Sequence, residues 1–326
     1  MRKNILVTGC ADANGQAIIN IIRDAFPKFF IVGTDVYANH VGKFMCNQFE
    51  IVPFASHDNY ISVIQNLIDK YDINILVPTS EIEICFFNKR RTFLNHLDVS
   101  VLIINEFAVD VGLDKLKTME TLGEKNILVP WTLNAQIDDP KEYPCIFKNR
   151  STSGSKSVEL IHNAKEAQRC CLREKSVWQE VLLPANQEYT CCIYRSKSGE
   201  IRILVMLREL ENGETKYAKI VQSNEINCYL KSIALALDLK GSMNIQLVLT
   251  KNGPLLFEIN PRFSSTVGFR HLVGFRDFEW QLLELMKIDL VPFSDMELIN
   301  IEYFRKTTCL VRKKNGQIKS FKSHYI

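Results

Sequence analysis

The chain is short of the residues that most often announce a site by themselves. Its six histidines are scattered, and its ten cysteines, which include the adjacent pairs Cys170-Cys171 and Cys191-Cys192, contain no CxxC. No zinc pattern is therefore legible, and the thiols read as reduced and mostly buried. Charge of one sign is lacking too. Forty basic residues against thirty-seven acidic ones leave a formal +3, which calls for neither nucleic acid nor an anionic membrane. The basic tail from Arg305 to Lys322 is modest and interrupted, and reads as a solvated strand or helix face. No apolar run reaches about 18 residues, and MRKNILVTG enters a strand without a leader pattern, so no membrane partner and a cytoplasmic location are expected. The GxGxxG fingerprint is also missing, because Ala11 and Ala13 occupy the turn that would carry its glycines.

What is present is core-forming material. A hydrophobic content of 46% over 326 residues is enough for two domains or three small ones. The apolar runs NILVTG, FFIVGTD, FEIVPF, INILVPT and SVLIIN alternate with helical spacing such as YISVIQNLIDKY, where Ile61, Ile64, Leu67 and Ile68 share a face. That alternation predicts a parallel, doubly wound sheet over about residues 1–105. Thr8, Gly9, Gly15 and Asp35 are what a dinucleotide-binding reading would use, with close strand–helix packing as the structural alternative. Glu81 and Glu83 follow a strand end where open parallel sheets bind ligands. They also suit the first turn of a helix capped by Ser80.

Two later stretches concentrate chemistry. In PCIFKNRSTSGSKSV an apolar strand delivers Lys148 into a small-residue loop, Ser151 to Ser155, whose backbone N–H groups can approach phosphate oxygens. In GSMNIQLVLTKNGPLLFEINPRFSSTVG, period-two alternation puts Asn244 and Gln246 on one face, and Glu258, Asn260 and Arg262 on one face. Met243, Ile245 and Leu247, with Leu255, Phe257 and Ile259, form the opposing apolar set. A three-residue turn at Lys251-Asn252-Gly253 sets Gln246 across from Glu258 and Asn244 across from Asn260. Two carboxamides and a carboxylate then converge beside a guanidinium. Hard oxygens suit Mg²⁺, and Arg262 suits a carboxyl or phosphoryl oxygen. The alternative is a half-exposed polar hairpin.

The order of these motifs resembles the ATP-grasp ligases, especially one half of the carbamoyl phosphate synthase large subunit. It runs from a strand–turn–helix start through DKLKT, the lysine loop, WQEVL and EYT to NIQ and FEINPRFSSTVG. The resemblance implies an α/β Rossmann-like N-terminal domain (1–107) followed by an α+β ATP-grasp fold. That fold divides into a lid subdomain (108–178) and a C-terminal subdomain (179–326). It implies an ADP-forming carboxylate–amine ligase using ATP and Mg²⁺, with small-molecule substrates and room for a homodimer. Lys115 and Lys148 would meet phosphates. Ser153, Gly154 and Ser155 would close over them, and Glu180, Val181 and Leu182 would hold adenine. Glu188 would hold the ribose, and Gln246, Glu258 and Asn260 the metal. Arg262, Lys148 and Asn260 would serve catalysis. Lys117, Arg208, Lys219, Arg270 and His271 stand near this set without a motif of their own. The alternatives are an NAD(P)-dependent oxidoreductase using the first domain and a non-catalytic nucleotide-binding protein.

Overall fold

The computed structural model describes residues 3–151, 158–170, 173–211, 213–290 and 301–305, with two short strands at Leu310–Arg312 and Ile318–Ser320. The chain opens with a parallel sheet of β1 (Asn4–Val7), β2 (Phe30–Asp35), β3 (Gln48–Ile51), β4 (Ile75–Val77) and β5 (Ser100–Val101), in the order β3-β2-β1-β4-β5. Helices α1 (Ala13–Ala25), α2 (Tyr60–Tyr71), α3 (Glu81–Asn88) and α4 (Arg91–His96) connect its strands. Apolar cores lie on both sides of the sheet, which is why successive β1 residues Ile5, Leu6 and Val7 are all fully buried. On α2, Tyr60 rather than Ile61 completes the buried face with Ile64, Leu67 and Ile68. The glycines after β1 serve packing: Gly9 has φ +60°, and a Cβ on Gly15 would lie 2.4 Å from the Gly9 carbonyl oxygen.

Helices α5 (Glu106–Gly112) and α6 (Lys115–Glu124) lead to a small antiparallel sheet of β6 (Thr132–Asn134), β7 (Cys145–Asn149), β8 (Glu159–Ile161) and β9 (Ser176–Glu180), ordered β6-β9-β7-β8. Helix α7 (Ala164–Cys170) joins β8 to β9, and Phe147 and Trp178 centre the core beneath them. A second antiparallel sheet follows, containing β10 (Glu188–Arg195), β11 (Ile201–Glu211), β12 (Glu214–Ile220), β13 (Gly241–Thr250), β14 (Gly253–Asn260) and β15 (Glu302–Phe304), ordered β14-β13-β10-β11-β12-β15. Helix α8 (Asn224–Ala236), with α5 and α6, covers one face through Ile226, Leu230, Val109 and Met119. Helices α9 (Val267–Leu272) and α10 (Asp277–Leu285) lie towards the other. Among the described residues no helix is long and apolar enough to cross a membrane.

The β13–β14 hairpin reaches the anticipated register by another route. Its turn has two residues, Lys251 and Asn252, because Thr250 pairs with Gly253, which has φ +102°. One residue is then inserted as a bulge: Leu247 faces Leu256, but Gln246 faces Glu258 and Asn244 faces Asn260. Phe257 is the extra residue, so it does not belong to the buried apolar set; Leu256 takes that place at 0% exposure. The bulge switches the parity of the strand. It leaves Leu256 facing the core while turning Glu258 to the opposite face.

Candidate active site

The bulge creates the centre of the site. Lys148, near the end of β7, donates from Nζ to the Phe257 carbonyl at 2.9 Å, an acceptor on the inserted residue. Lys115, the first residue of α6, places Nζ 2.9 Å from Glu258 Oε1. Its position is fixed from both sides. Asp114 caps the helix by accepting from Leu116 and Lys117 N–H, and the Lys115 N–H donates to the Arg150 carbonyl. Arg150 in turn pairs with Asp114 at 2.7 Å, tying the helix start to the end of the lysine strand.

Two ammonium groups therefore meet around one carboxylate. Burial pushes the Lys148 ammonium down to about 7; Glu258 opposes that shift, and Lys115 adds to it. Lys115 and Glu258 balance one another, and an arriving anion would draw a further proton onto Lys148.

Along the same strand, Asn260 is buried at 3% exposure, and its Nδ2 has no hydrogen-bond partner among the described residues. Its Oδ1 accepts only a long 3.4 Å contact from Arg262. A buried carboxamide held this loosely has oxygen to offer a cation. The donor set of Glu258, Asn260 and the facing Gln246, one carboxylate and two carboxamides, fits Mg²⁺. Arg262 is aimed by Glu81, which accepts from Nε at 3.0 Å across the boundary with the first sheet. Sequence reasoning placed Glu81 near a ligand or in a helix cap, without this partner. Glu83 differs in role: it accepts from Thr8, Tyr60 and Ser80 at 2.7–2.8 Å, and burial raises its carboxyl despite them.

The remaining expected residues lie further along. Thr190 stands opposite Gln246, so Thr190, Gln246 and Glu258 form a row across three strands. Glu188, two residues from Thr190 on the same face, accepts from Arg208 Nε at 2.8 Å. Glu180 ends β9, and its Oε2 accepts from the Trp131 N–H at 3.2 Å; Val181 and Leu182 follow it half-buried. Ser153, Gly154 and Ser155 lie outside the described residues.

Lys219 sits opposite Glu302 at the far side of the sheet. His271 lies between Asp24 and Glu279, and Arg270 is buried against Asp277. Asp35, the residue a dinucleotide ribose would need, has one oxygen accepting from the Ala11 N–H at 2.8 Å and the other from the Tyr37 N–H at 3.1 Å.

This architecture, a Rossmann-like sheet leading into two antiparallel sheets that meet at lysines and a polar hairpin, is that of the ATP-grasp proteins. Residues 113–266 match the family model described as the ATP-grasp domain, and that segment of the chain is an ATP-grasp domain. The fold is shared with N5-carboxyaminoimidazole synthetase from Staphylococcus aureus in complex with ADP, at a TM-score of 0.72, 15% identity, and coverage of 89% of this chain and 78% of that one. L-amino acid ligase from Bacillus licheniformis gives a TM-score of 0.73 at 13% identity, over 95% and 82% of the two chains. Biotin carboxylase from Campylobacter jejuni gives 0.72 at 12%, over 92% and 73%. At such identities the likeness concerns the fold.

By sequence, an uncharacterized protein of Mycoplasma genitalium is 25% identical over 171 residues, 50% of this chain and 57% of that protein. Its Mycoplasma pneumoniae homologue is 28% identical over 148 residues, 44% and 48% of the two. The chain thus spans about half the length of the curated relatives it matches.

Proposed function

We propose that the chain is an ATP-dependent carboxylate–amine ligase that passes through an acyl phosphate and releases ADP and phosphate. The observation that carries this reading is the convergence of Lys115, Lys148 and Glu258 at the β14 bulge, with Asn260 and the Glu81-aimed Arg262 on the same edge. A largely buried group of two lysines, an arginine and oxygen donors suits a polyphosphate with its cation.

In this reading the segments 1–107, 108–178 and 179–326 divide the work into substrate selection, phosphate covering and nucleotide and metal binding. Glu258 and Asn260, with Gln246 opposite, hold Mg²⁺, whose contribution is to neutralise charge on the transferring phosphoryl group. Lys115 and Lys148 neutralise the phosphate oxygens from the other side. Arg262 clamps the substrate carboxylate in line with the γ-phosphorus, and Glu81 keeps the guanidinium plane fixed while it does so. Transfer makes a poor leaving oxygen into a good one, and an amine then displaces phosphate. The protein's task is positioning and electrostatic stabilisation. The adenosine end belongs with Glu180, Val181, Leu182 and Glu188, and the loop containing Ser153, Gly154 and Ser155 covers the phosphates.

The test is ATP- and Mg²⁺-dependent phosphate release across a panel of amino-acid and sugar-acid carboxylates with amine acceptors, nucleotides being resolved by chromatography. ADP with phosphate is the expected pair. AMP with pyrophosphate refutes the acyl-phosphate route, and nucleotide binding without turnover on any substrate leaves the chain a binding protein.

A further inference from the structure

The carboxyl edge of the parallel sheet holds a second cluster that the ligase reading does not use. Cys10 lies in the turn after β1, Asp35 ends β2, and His40 precedes the short helical turn Val41–Phe44. One ligand-capable atom from each, the Cys10 sulfur, an Asp35 oxygen and a His40 ring nitrogen, lies within 4.8 Å of the others. A fourth candidate, Cys46, stands outside that set of mutual distances but next to the Cys10 sulfur. Cys46 is in hydrogen-bond contact with the Cys10 thiol, and both sulfurs lie over Gly33: a Cβ there would be 2.3 Å from the Cys46 sulfur and 3.2 Å from that of Cys10. The glycine in the middle of β2 thus makes room for two thiols side by side.

The imidazole of His40 supplies the independent sign. Both of its ring nitrogens are buried, and neither has a hydrogen-bond partner among the described residues, although in a neutral ring one must carry a proton and the other a lone pair. The ring stands edge-on to Phe49 at 5.0 Å between centroids, so it is held in place by packing. Buried polar atoms in folded chains find partners, and a metal ion is a partner for a neutral imidazole.

We propose that Cys10, Asp35, His40 and Cys46 form a structural zinc site. Two thiolates, an imidazole and a carboxylate are a closed tetrahedral set with no position left for water, which marks a structural rather than catalytic ion. Ligand atoms around tetrahedral zinc stand about 3.3–3.8 Å apart, so Cys10, Asp35 and His40 need a contraction of the order of 1 Å, and Cys46 a larger side-chain rotation toward them. Thiolate sulfur excludes Mg²⁺ and Ca²⁺ and favours zinc. Loading breaks two S–H bonds and forms two Zn–S bonds, releasing about two protons per ion.

The ion would fasten the 36–47 segment to the β1–α1 turn. Asp35 already begins that work by accepting from Ala11 and Tyr37 N–H with its two oxygens, each of which keeps a further lone pair. The ligands are spread over residues 10 to 46 without a CxxC or a histidine pair, which is why no zinc pattern was legible in the sequence.

The full chain, reduced with a phosphine and stripped by a chelator, is titrated with Co²⁺ and then with Zn²⁺. Intense tetrahedral ligand-field bands and thiolate-to-cobalt charge transfer should saturate at about one equivalent and bleach on adding zinc. His40→Ala and Cys46→Ser should each weaken binding by at least ~100-fold. Glu258→Gln should leave the cobalt spectrum unchanged, since an oxygen-only site gives no thiolate band. A wild-type spectrum without charge transfer overturns the proposal regardless of how the variants fold, as does an isotherm that C10S/C46S leaves intact.

Discussion

Strand β13 carries two charged clusters, and they are built on opposite principles. At its start Ser242 donates to Asp277 Oδ2 at 2.6 Å, and Asp277 pairs with Arg270 at 2.7 Å, both charged side chains being at most 1% exposed. Arg270 spends its other donors on Ser264 and Thr266 at 2.7 and 2.8 Å. One cation, one anion and a full set of hydrogen bonds make a closed network. Four residues on from Ser242, Gln246 faces Glu258, which pairs with Lys115 while Lys148 lies near enough to feel its charge, and the Asn260 amide nitrogen has no hydrogen-bond partner among the described residues. Both clusters are buried enough for charge to be costly. The matched one is a structural staple. The mismatched one holds an extra lysine ready to take up a proton when an anionic ligand arrives, and the count of ionisable partners separates the two better than burial does.

The largest expected effect is on the closed cluster. Asp277→Ala leaves Arg270 buried without its anion and should cost about 3–5 kcal/mol of folding stability, read as a large fall in denaturation midpoint. If that variant instead melts near the parent, the matched cluster is not structural and the contrast fails.

Glu258→Gln addresses the other end of the strand. It keeps size and much of the hydrogen bonding while removing the charge that meets both Lys115 and the cation. A loss of at least ~100-fold in ATP turnover, roughly 2.7 kcal/mol, is expected, with the melting temperature little changed. Turnover within a few-fold of the parent at normal stability removes Glu258 from the metal site, and with it the roles given to Gln246, Asn260 and Arg262.

A smaller effect is expected at Glu81, which touches Arg262 alone among the site residues. Glu81→Gln keeps an acceptor but loses the charge-assisted bond, and should lower kcat by about tenfold. An unchanged kcat would mean that Arg262 is oriented by Asn260 and the Phe263 carbonyl without help.

The regular patterns were legible in the sequence, and the long-range pairings were not. Period-two alternation put Asn244 and Gln246 on one face because side-chain alternation is a local property of the backbone, and an assumed three-residue turn put Gln246 across from Glu258, where it is found. The turn and the bulge behind that register were missed, since a two-residue turn plus an inserted Phe257 offsets strands as a three-residue turn does. The apparent core position of Phe257 was the cost of that ambiguity. Lys115 and Lys148 were readable as basic residues in a known order, yet their convergence on a single bulge depends on three elements far apart in the chain. Glu81 to Arg262 spans 181 residues and leaves no local trace. The same holds for the two cysteines over Gly33 and for His40 near Cys10, which a search for CxxC pairs passes over.

The subtlest expectation concerns protons, and it turns the charge mismatch into a measurable quantity. Lys148 is held at about 7 chiefly by burial, against an ordinary lysine value of 10.5. Its contribution to folding stability is therefore smallest below about pH 7 and grows as pH rises towards the ordinary value, because over that window the unfolded chain binds the extra proton. A polyphosphate beside it favours the charged form and moves the value back up. At pH 8 the free protein carries that proton in only about a tenth of molecules, so binding a nonhydrolysable ATP analogue with Mg²⁺ should take up close to, but below, about one proton.

Calorimetry at pH 8 in buffers of different ionisation enthalpy reads this directly: the apparent binding enthalpy should vary linearly with buffer enthalpy, with uptake as the slope. Lys148→Arg keeps a charge that does not titrate, and should abolish the slope while retaining part of the affinity. A wild-type enthalpy identical in all buffers would mean that no anion settles against Lys148, and the open cluster would then be another staple lacking one of its partners.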